Sequence, residues 1–453
     1  PCWYPAKKPP TGAAGQGDCE TNTVGYGNAW VVWSPTFAAQ GVAYATTGSS
    51  ALDRAYDGIK LSAQPPGVPT PTWPDGYFNL MPLDESAFSL TRNNGETWNQ
   101  LSLIDTRMNK LTDVAPSLDC TTIYLASVNN GTRCAGFDSI WRSSSNEKVV
   151  APPLPALPIG QVWERVRAHV SALSCNAAQS NYIIIRLAPD KIDGQVAGWA
   201  AGGTSGLTTI GNFAVAENTR MMEWSPDFGD YWAAVNPRIA VQDFAWESSP
   251  IIYVLDRTGM VQKLPYTGTA WASTLPTVNG LVVGKGHTIE AMAPDKVLVG
   301  GGAAFTAAIS TNGGTSFIPM VRPTTTPPTV GYHAIFDTDF AKNSTIYVAS
   351  DAGSSSATVP QANPTGLVFR NTAPAGSNVE WTNMMTGMCF IGYAGPHEGY
   401  HGIVQTNSKN VTGQGTLYAA HTWQGGEPLT AGWSGVERTL APLDGIPKPG
   451  LEW

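Results

Sequence analysis

The sequence predicts an all-β protein built from repeated copies of one unit, and three observations support this. Apolar stretches recur in pairs along the chain, with the second about ten residues after the first. The second stretch combines aromatic and β-branched residues, as in Thr122–Ala126, Ile251–Leu255 and Thr345–Ala349, a composition typical of buried strands. No apolar period of about 3.6 residues with helix caps recurs. We therefore expect strands and turns throughout.

Seven copies of the unit can be aligned. They start at Trp30, Asp113, His169, Asp243, Ile289, His333 and His401. Short repeated β units separated by polar turns pack side by side. With four strands in each copy, the sequence predicts a seven-bladed β-propeller, within the usual range of about four to eight blades. The blades are expected to begin near residues 28, 111, 167, 238, 287, 331 and 399, so that residues 28–453 form the propeller and residues 1–27 an N-terminal arm.

Three turns share a further pattern. They are Thr91–Trp98, Ser225–Trp232 and Ser310–Phe317. Each has a side chain that can cap its own turn, a glycine that permits positive φ and an aromatic residue that can plug the hairpin. These residues are Asn93, Gly95 and Trp98, then Asp227, Gly229 and Trp232, then Asn312, Gly314 and Phe317.

The pattern resembles the Asp box, Ser/Thr-x-Asp/Asn-x-Gly-x-x-aromatic, of the sialidase-like β-propellers. Other copies carry degraded turns, as at Arg370 and Arg438. The resemblance covers about residue 28 to the C-terminus and implies a propeller with degenerate Asp-box repeats.

The resemblance does not extend to a sialidase site. Sialidases similar to this repeat need three arginines and an Arg-Ile-Pro motif ahead of the first box, whereas Arg54 is the only arginine before Arg92. Xyloglucanase-like relatives place two carboxylates between two tandem propellers, and one propeller is predicted here. A glycoside hydrolase remains an alternative, with Asp113 and Asp243 as the candidate carboxylate pair.

The aligned copies place five polar residues at the entrance of the innermost strand. They are Asp113, His169, Asp243, His333 and His401. In a propeller these side chains would ring one mouth of the central channel, where they could bind a cation or a small polar ligand. The alternative, which we favour, is a water-filled channel lined by polar groups.

A second histidine pattern, His397–His401, matches the His-Glu-x-x-His motif of zinc proteases. Surrounding glycines and Pro396 exclude the helix that this motif requires, and we expect a strand instead. No metal and no cofactor is therefore predicted.

The cysteines and sequons favour an extracellular location. The spacings of Cys2 with Cys19 and of Cys120 with Cys134 suit local disulfides, and buried thiols are the alternative. Cys175 and Cys389 stay unassigned. Sequons at Asn130, Asn343 and Asn410 lie in turn-like sequence. With only 13% charged residues, these features indicate a secreted or cell-surface glycoprotein.

Charge and hydropathy exclude two classes of partner. The net charge is −8 and no cluster of Lys and Arg exists beyond Lys7-Lys8, so nucleic acid is not expected. No apolar run reaches the roughly 18 residues of a membrane span. Glycans remain candidates, because the loop aromatics Trp73, Tyr77 and Trp423 could stack on sugars.

The last blade lacks a fourth strand in the predicted order, because the chain stops soon after the turn at Arg438. Proteins normally cover an unpaired strand edge. We expect residues 1–27 to cover it, in the same molecule or in a neighbouring copy, which would build head-to-tail rings or filaments. Residues beyond Trp453 that complete the blade are a third alternative. The sequence thus favours a non-enzymatic structural or assembly protein, with a glycoside hydrolase or a glycan-binding propeller as alternatives.

Overall fold

The computed structural model describes twenty ranges of the chain. They are residues 27–33, 43–49, 87–91, 99–100, 110–129, 137–145, 163–170, 182–202, 209–210, 213–214, 221–229, 232–272, 277–278, 286–302, 305–321, 331–350, 368–375, 381–384, 397–423 and 433–444. Within them the chain forms small antiparallel sheets, numbered here from sheet 1 to sheet 7 in chain order.

The first three sheets have four strands each. Sheet 1 contains β1 (Gly27–Trp33), β2 (Ala43–Ser49), β3 (Ala87–Thr91) and β4 (Asn99–Gln100). Sheet 2 contains β5 (Lys110–Pro116), β6 (Thr122–Asn129), β7 (Phe137–Ser144) and β8 (Glu164–Val170). Sheet 3 begins with β9 (Tyr182–Leu187) and β10 (Ala197–Gly202); after a separate hairpin of β11 (Thr209–Ile210) and β12 (Phe213–Ala214), it continues with β13 (Met221–Ser225) and β14 (Ala233–Val235).

The next four sheets follow the same order. Sheet 4 contains β15 (Asp243–Ser248), β16 (Ile251–Leu255), β17 (Met260–Pro265) and β18 (Thr277–Val278). Sheet 5 contains β19 (Thr288–Met292), β20 (Lys296–Gly300), β21 (Phe305–Ser310) and β22 (Ile318–Val321). Sheet 6 contains β23 (Tyr332–Phe336), β24 (Ile346–Ser350), β25 (Val368–Asn371) and β26 (Thr382–Asn383), with the short helix α1 (Phe340–Asn343) between its first two strands. Sheet 7 contains β27 (His397–Lys409), β28 (Gly415–Trp423) and β29 (Trp433–Thr439).

The second strand of each of several sheets carries a fully buried tyrosine. These are Tyr124, Tyr253, Tyr347 and Tyr418. A second strand is paired on both sides and packs between neighbouring sheets, which suits aromatic and β-branched side chains. The aromatic β-branched pattern in the sequence therefore marks a buried second strand in these four sheets.

Hydrophobic clusters join each sheet to the next. Tyr124 of sheet 2 packs with Ile185 and Trp199 of sheet 3, and equivalent clusters connect the following pairs. A further cluster joins Ala45 of sheet 1 to Tyr418 of sheet 7. The first strands β1, β5, β9, β15, β19, β23 and β27, called the inner strands below, also lie next to each other in this order, and β27 lies beside β1. The chain is an all-β protein with a propeller-like fold.

One predicted sheet boundary was wrong. The copy aligned at His169 was expected to start a sheet near residue 167, but Glu164–Val170 is the fourth strand of sheet 2, and sheet 3 begins at Tyr182. The β8 backbone pairs with β7, with Val170 opposite Phe137. The stretch at His169 was aligned as an inner strand because Tyr182–Leu187 follows it at about the repeat spacing, but His169 and Val170 end an outer strand.

Two of the three patterned turns have the same hydrogen-bond geometry. Ser225 Oγ accepts from the Gly229 amide at 2.8 Å and donates to Asp227 Oδ1 at 2.9 Å. Ser310 Oγ accepts from the Gly314 amide at 2.9 Å and donates to Asn312 Oδ1 at 2.9 Å. The serine hydroxyl thus accepts a backbone amide in both turns, and Asn312 Oδ1 also accepts from the Ser316 amide at 3.0 Å, which is the capping contact predicted for it.

The remaining predicted turn residues fit the same arrangement where they are described. Both glycines have positive φ, 92° at Gly229 and 76° at Gly314. Trp232 and Phe317 pack against the hydrophobic clusters. Asn93, Gly95 and Trp98 of the first turn lie outside the described residues.

Candidate functional site at the inner strands

Asp113 lies in the inner strand β5, and its carboxylate is buried. Oδ1 accepts from the Val114 amide at 2.9 Å. Oδ2 accepts from the amide of Ile185 at 2.9 Å and from Arg186 Nη1 at 2.6 Å, and both of these residues belong to β9. The carboxylate therefore ties sheet 2 to sheet 3.

Asp243 makes the same contacts two sheets further on. It is buried at the start of β15; Oδ1 accepts from the Phe244 amide at 2.8 Å, and Oδ2 accepts from the Ile289 amide of β19 at 2.9 Å. The predicted equivalence of Asp113 and Asp243 appears in these matching backbone contacts.

Arg186 connects the two carboxylates. Its guanidinium contacts Asp113 at 2.6 Å through Nη1 and Asp243 at 3.4 Å through Nη2, and its side chain is 39% exposed. Burial raises the pKa of Asp113, while the positive charge of Arg186 and the two backbone amides lower it in part. Sequence reasoning missed Arg186, although an arginine inside the apolar strand Tyr182–Leu187 was a visible signal.

Glu290 is the second residue that sequence reasoning missed. It follows Ile289 as Arg186 follows Ile185, and its carboxylate accepts a hydrogen bond from the Phe336 amide of β23. Burial raises the pKa of this carboxyl group to about 8, although the Phe336 amide and the charge of Arg186 act in the opposite direction. Glu290 is thus largely protonated at neutral pH.

His333 lies in the inner strand β23 beside His287, which immediately precedes β19. The two Nε2 atoms are 3.2 Å apart, and the rings meet at 70° with their centroids separated by 4.5 Å. Gly331 leaves space for this pair, since a Cβ at that position would lie 3.0 Å from the His287 ring. His287 had no place in the predicted ring of polar residues.

The structure does not bring all five predicted ring residues together. His169 lies on β8, at the edge of sheet 2 opposite to the inner strand, so its predicted position was wrong. His401 belongs to the inner strand β27, at an irregularity between Tyr400 and Gly402. The segment from His397 to His401 is a strand, as predicted, and not the helix of a zinc protease.

The sequon asparagines that are described have structural hydrogen bonds. Asn343 Nδ2 donates to Asp337 Oδ1 at 2.8 Å, and Asn410 Nδ2 donates to the Leu440 carbonyl at 2.7 Å. Cys120 is buried in the turn before β6 and has a φ of 58°.

Other predicted residues fall outside the described ranges. They are Cys2, Cys19, Cys134, Cys175, Cys389, Asn130, Trp73 and Tyr77; Trp423 ends β28, and its side chain is not described. Among the described residues, no group of three or more His, Cys, Asp and Glu side chains is arranged to hold a metal ion. Nor does any helical segment among them have the length and apolar character of a membrane span.

Comparisons with known proteins give distant structural similarity only. No protein-family model matches the chain, and no curated protein sequence matches it. The solved structure of YCF48 bound to D1 peptide aligns at 12% identity with a TM-score of 0.44, covering 80% of this chain and 88% of that one. YCF48 from Cyanidioschyzon merolae aligns at 12% identity with a TM-score of 0.41, covering 75% of this chain and 97% of that one. A protein of unknown function from Dyadobacter fermentans aligns at 12% identity with a TM-score of 0.39, covering 72% of this chain and 93% of that one. Function must therefore be argued from the chain's own geometry.

Proposed function

We propose that this protein is a non-enzymatic structural propeller of the cell surface or extracellular space, and that its copies assemble head to tail. In this proposal sheets 1 to 7 are the seven blades, and the turns at Ser225 and Ser310 are degenerate Asp boxes. The cyclic order of the hydrophobic clusters and the matching hydrogen bonds of the two turns support the blade assignment. The low charged fraction of 13% supports the location.

The contacts of the candidate carboxylates favour a structural role over glycoside hydrolysis. A hydrolase needs one carboxyl group that gives up a proton and one that attacks or activates water. Here each of the two oxygens of Asp113 accepts a backbone amide, and the same holds for Asp243. Arg186 contacts both groups. Neither carboxylate is placed to take part in proton transfer to a substrate.

The observation that carries the assembly proposal is the edge of sheet 7. β29 pairs with β28 on one side, and no strand in the described ranges pairs with its other side. An open edge presents backbone N–H and C=O groups that add a further strand readily. The segment that we propose for this edge is the N-terminal arm of a neighbouring copy, taken as residues 1–26 because β1 already begins at Gly27. Such exchange is head to tail and produces a ring or an open filament.

Deletion of residues 1–26 tests this proposal. Particle mass by light scattering and particle shape by electron microscopy should show assemblies for the full chain and folded monomers for the deletion variant. A synthetic peptide with the sequence of residues 1–26, added in excess, should bind the variant with a stoichiometry of one to one. A scrambled peptide of the same composition is the control.

Two results would contradict the assembly proposal. One is a full chain that is monomeric at every concentration tested. The other is assembly that persists in the deletion variant. If the variant does not fold by itself but refolds as a monomer with the peptide, the arm closes its own molecule.

A cluster of aromatic residues favours glycan binding as a second candidate function. Trp271 contacts Trp224, Tyr266 and Trp246 with ring centroids 5.5, 5.2 and 5.6 Å away. Trp224, Tyr266 and Trp271 are partly exposed at the junction of sheets 3 and 4. Partly exposed aromatic faces with polar ends are suited to stacking against sugar rings.

Substitution of Trp271 tests the glycan alternative. We expect Trp271→Ala to abolish retardation of the protein in gels that contain soluble polysaccharide. Trp381→Ala is a matched control, because Trp381 is also partly exposed but lies on sheet 6, where its Nε1 donates to the Val321 carbonyl. Equal retardation of both variants would eliminate this site.

A further inference from the structure

The proposed function leaves the pair of His287 and His333 unused. Their side chains come from two different sheets and meet through their Nε2 atoms at 3.2 Å. We propose that this pair binds a divalent transition-metal ion, with zinc as the first candidate, through both Nε2 atoms. The ion would link sheet 5 to sheet 6 at their inner strands, β19 and β23.

The distance between the nitrogens fits shared coordination. Zinc–imidazole bonds of about 2.0–2.1 Å in tetrahedral geometry place two ligand nitrogens roughly 3.3 Å apart. The observed separation of 3.2 Å is close to that value. Imidazole nitrogens suit zinc, copper and nickel, and water can occupy the remaining positions.

The surrounding backbone holds the pair in place. The amide of His287 donates to the Gly300 carbonyl at 2.9 Å, which fixes the start of β19. The amide of Tyr332, next to His333, donates to the Gly301 carbonyl at 2.8 Å. Gly331 admits the His287 ring, which a side chain at that position would meet at 3.0 Å. Both imidazoles are therefore positioned by hydrogen-bonded strands.

The proposal rests on the two described imidazoles alone. β27 lies beside β23, and in the aligned repeats His401 of β27 corresponds to His333 of β23, but the proposed site does not need His401.

The test is metal titration of the full chain after treatment with a chelator. We expect one Zn²⁺ per chain by isothermal titration calorimetry, and visible absorption from Co²⁺ bound to nitrogen ligands. His287→Ala and His333→Ala should each weaken binding by at least about tenfold, since loss of even an outer-shell partner costs that much. His169→Ala is the control and should bind as the unmodified chain does, because His169 lies on the outer strand β8.

Thermal unfolding provides a second readout. Zn²⁺ should raise the unfolding temperature of the unmodified chain and of His169→Ala, but not that of His287→Ala or His333→Ala. If a variant with alanine does not fold, His287→Gln and His333→Gln replace it, because glutamine keeps a polar side chain there.

Absence of Zn²⁺ and Co²⁺ binding by the unmodified chain would overturn the proposal. Binding that is unchanged in both histidine variants would place the ion elsewhere and would overturn it equally. Since the titration can be repeated on the variant that lacks residues 1–26, the result does not depend on whether copies assemble.

Discussion

The carboxylate of Asp113 accepts a hydrogen bond from the backbone amide of Ile185 at 2.9 Å, across the boundary between sheets 2 and 3. Neighbouring inner strands do not share a ladder of backbone hydrogen bonds, so their edge amides need other partners. Side chains supply these partners. Asp243 accepts a hydrogen bond from the Ile289 amide, and Glu290 accepts one from the Phe336 amide. These carboxyl groups hold neighbouring inner strands together.

Removal of the Arg186 guanidinium should destabilise the fold. Arg186→Met leaves two buried carboxylates without their shared cation, although each keeps its backbone amides. We expect a loss of about 1–3 kcal/mol in the free energy of unfolding, because hydrogen bonds to charged groups contribute this much and Arg186 is partly exposed.

Urea denaturation checks this prediction. Arg257→Met is the matched control, since Arg257 is exposed and its loss should change stability by about 0.5 kcal/mol or less. Equal losses for the two variants would show that Arg186 does not hold the inner strands together.

Glu290 should make stability fall as the pH rises. Its folded pKa of about 8 lies above the ordinary value of 4.5, so between these values the folded state binds more protons than the unfolded state. Stability from this group is complete below about pH 4.5 and is lost as the pH approaches 8. The loss is on the order of a few kcal/mol, at about 1.4 kcal/mol per pKa unit.

Glu290→Gln should remove most of this dependence, because glutamine still offers an oxygen to the Phe336 amide and cannot ionise. Urea midpoints from pH 5 to pH 9 measure the effect, and Asp113, whose pKa is also raised by burial, contributes a dependence of the same sign. The exposed carboxylate of Asp190 supplies the control, Asp190→Asn. An unchanged slope in Glu290→Gln would contradict the assignment.

Two glycines with the same φ allow the backbone strain of an alanine substitution to be distinguished from its steric cost. Gly229 and Gly268 both have a φ of 92°, but a Cβ at Gly229 would lie 3.0 Å from Val166, whereas one at Gly268 would meet nothing within 4 Å. Gly268→Ala should cost only the conformational strain of about 1–2 kcal/mol. Gly229→Ala should cost clearly more, because the patterned turn must also move away from β8. Chemical denaturation of the two variants measures the difference, and equal costs would show that this turn is not packed tightly.

The sequence predicted the repeated strands but not the connections between sheets. Strand composition depends on local residue type, so the buried second strands around Tyr124 and Tyr347 were recognisable. The link from Asp113 to Arg186 spans 73 positions and depends on which strands become neighbours. The same limitation placed His169 on an inner strand, since the spacing to Tyr182–Leu187 does not show which strands become neighbours. His287 was missed because it precedes its strand by one residue, and the alignment considered only the strand's entrance at Ile289.

Asp337, in the loop after β23, accepts hydrogen bonds from several donors. Its carboxylate is buried and accepts from Tyr347 Oη at 2.7 Å, from Gln405 Nε2 of β27 at 2.9 Å and from Asn343 Nδ2 at 2.8 Å. The group thus connects sheet 6 to the inner strand of sheet 7. The proposed assembly edge belongs to that same sheet 7.

Asp337→Asn should therefore destabilise the fold by about 2–3 kcal/mol, because an amide nitrogen would face hydrogen-bond donors and leave at least one of them unsatisfied. Asp339→Asn is the control two residues away. Asp339 pairs with Lys342 and Lys409 near the surface, where exposed ion pairs contribute about 1 kcal/mol or less. In urea denaturation Asp337→Asn should lose more stability than Asp339→Asn. The near-ultraviolet circular dichroism of folded Asp337→Asn should change in the tyrosine region, because the hydrogen bond of Tyr347 is altered. If both variants lose the same small amount, Asp337 does not connect the two sheets, and sheet 7 must be positioned by its hydrophobic clusters and by other polar contacts, such as the hydrogen bond from Arg370 Nη1 to the Pro442 carbonyl.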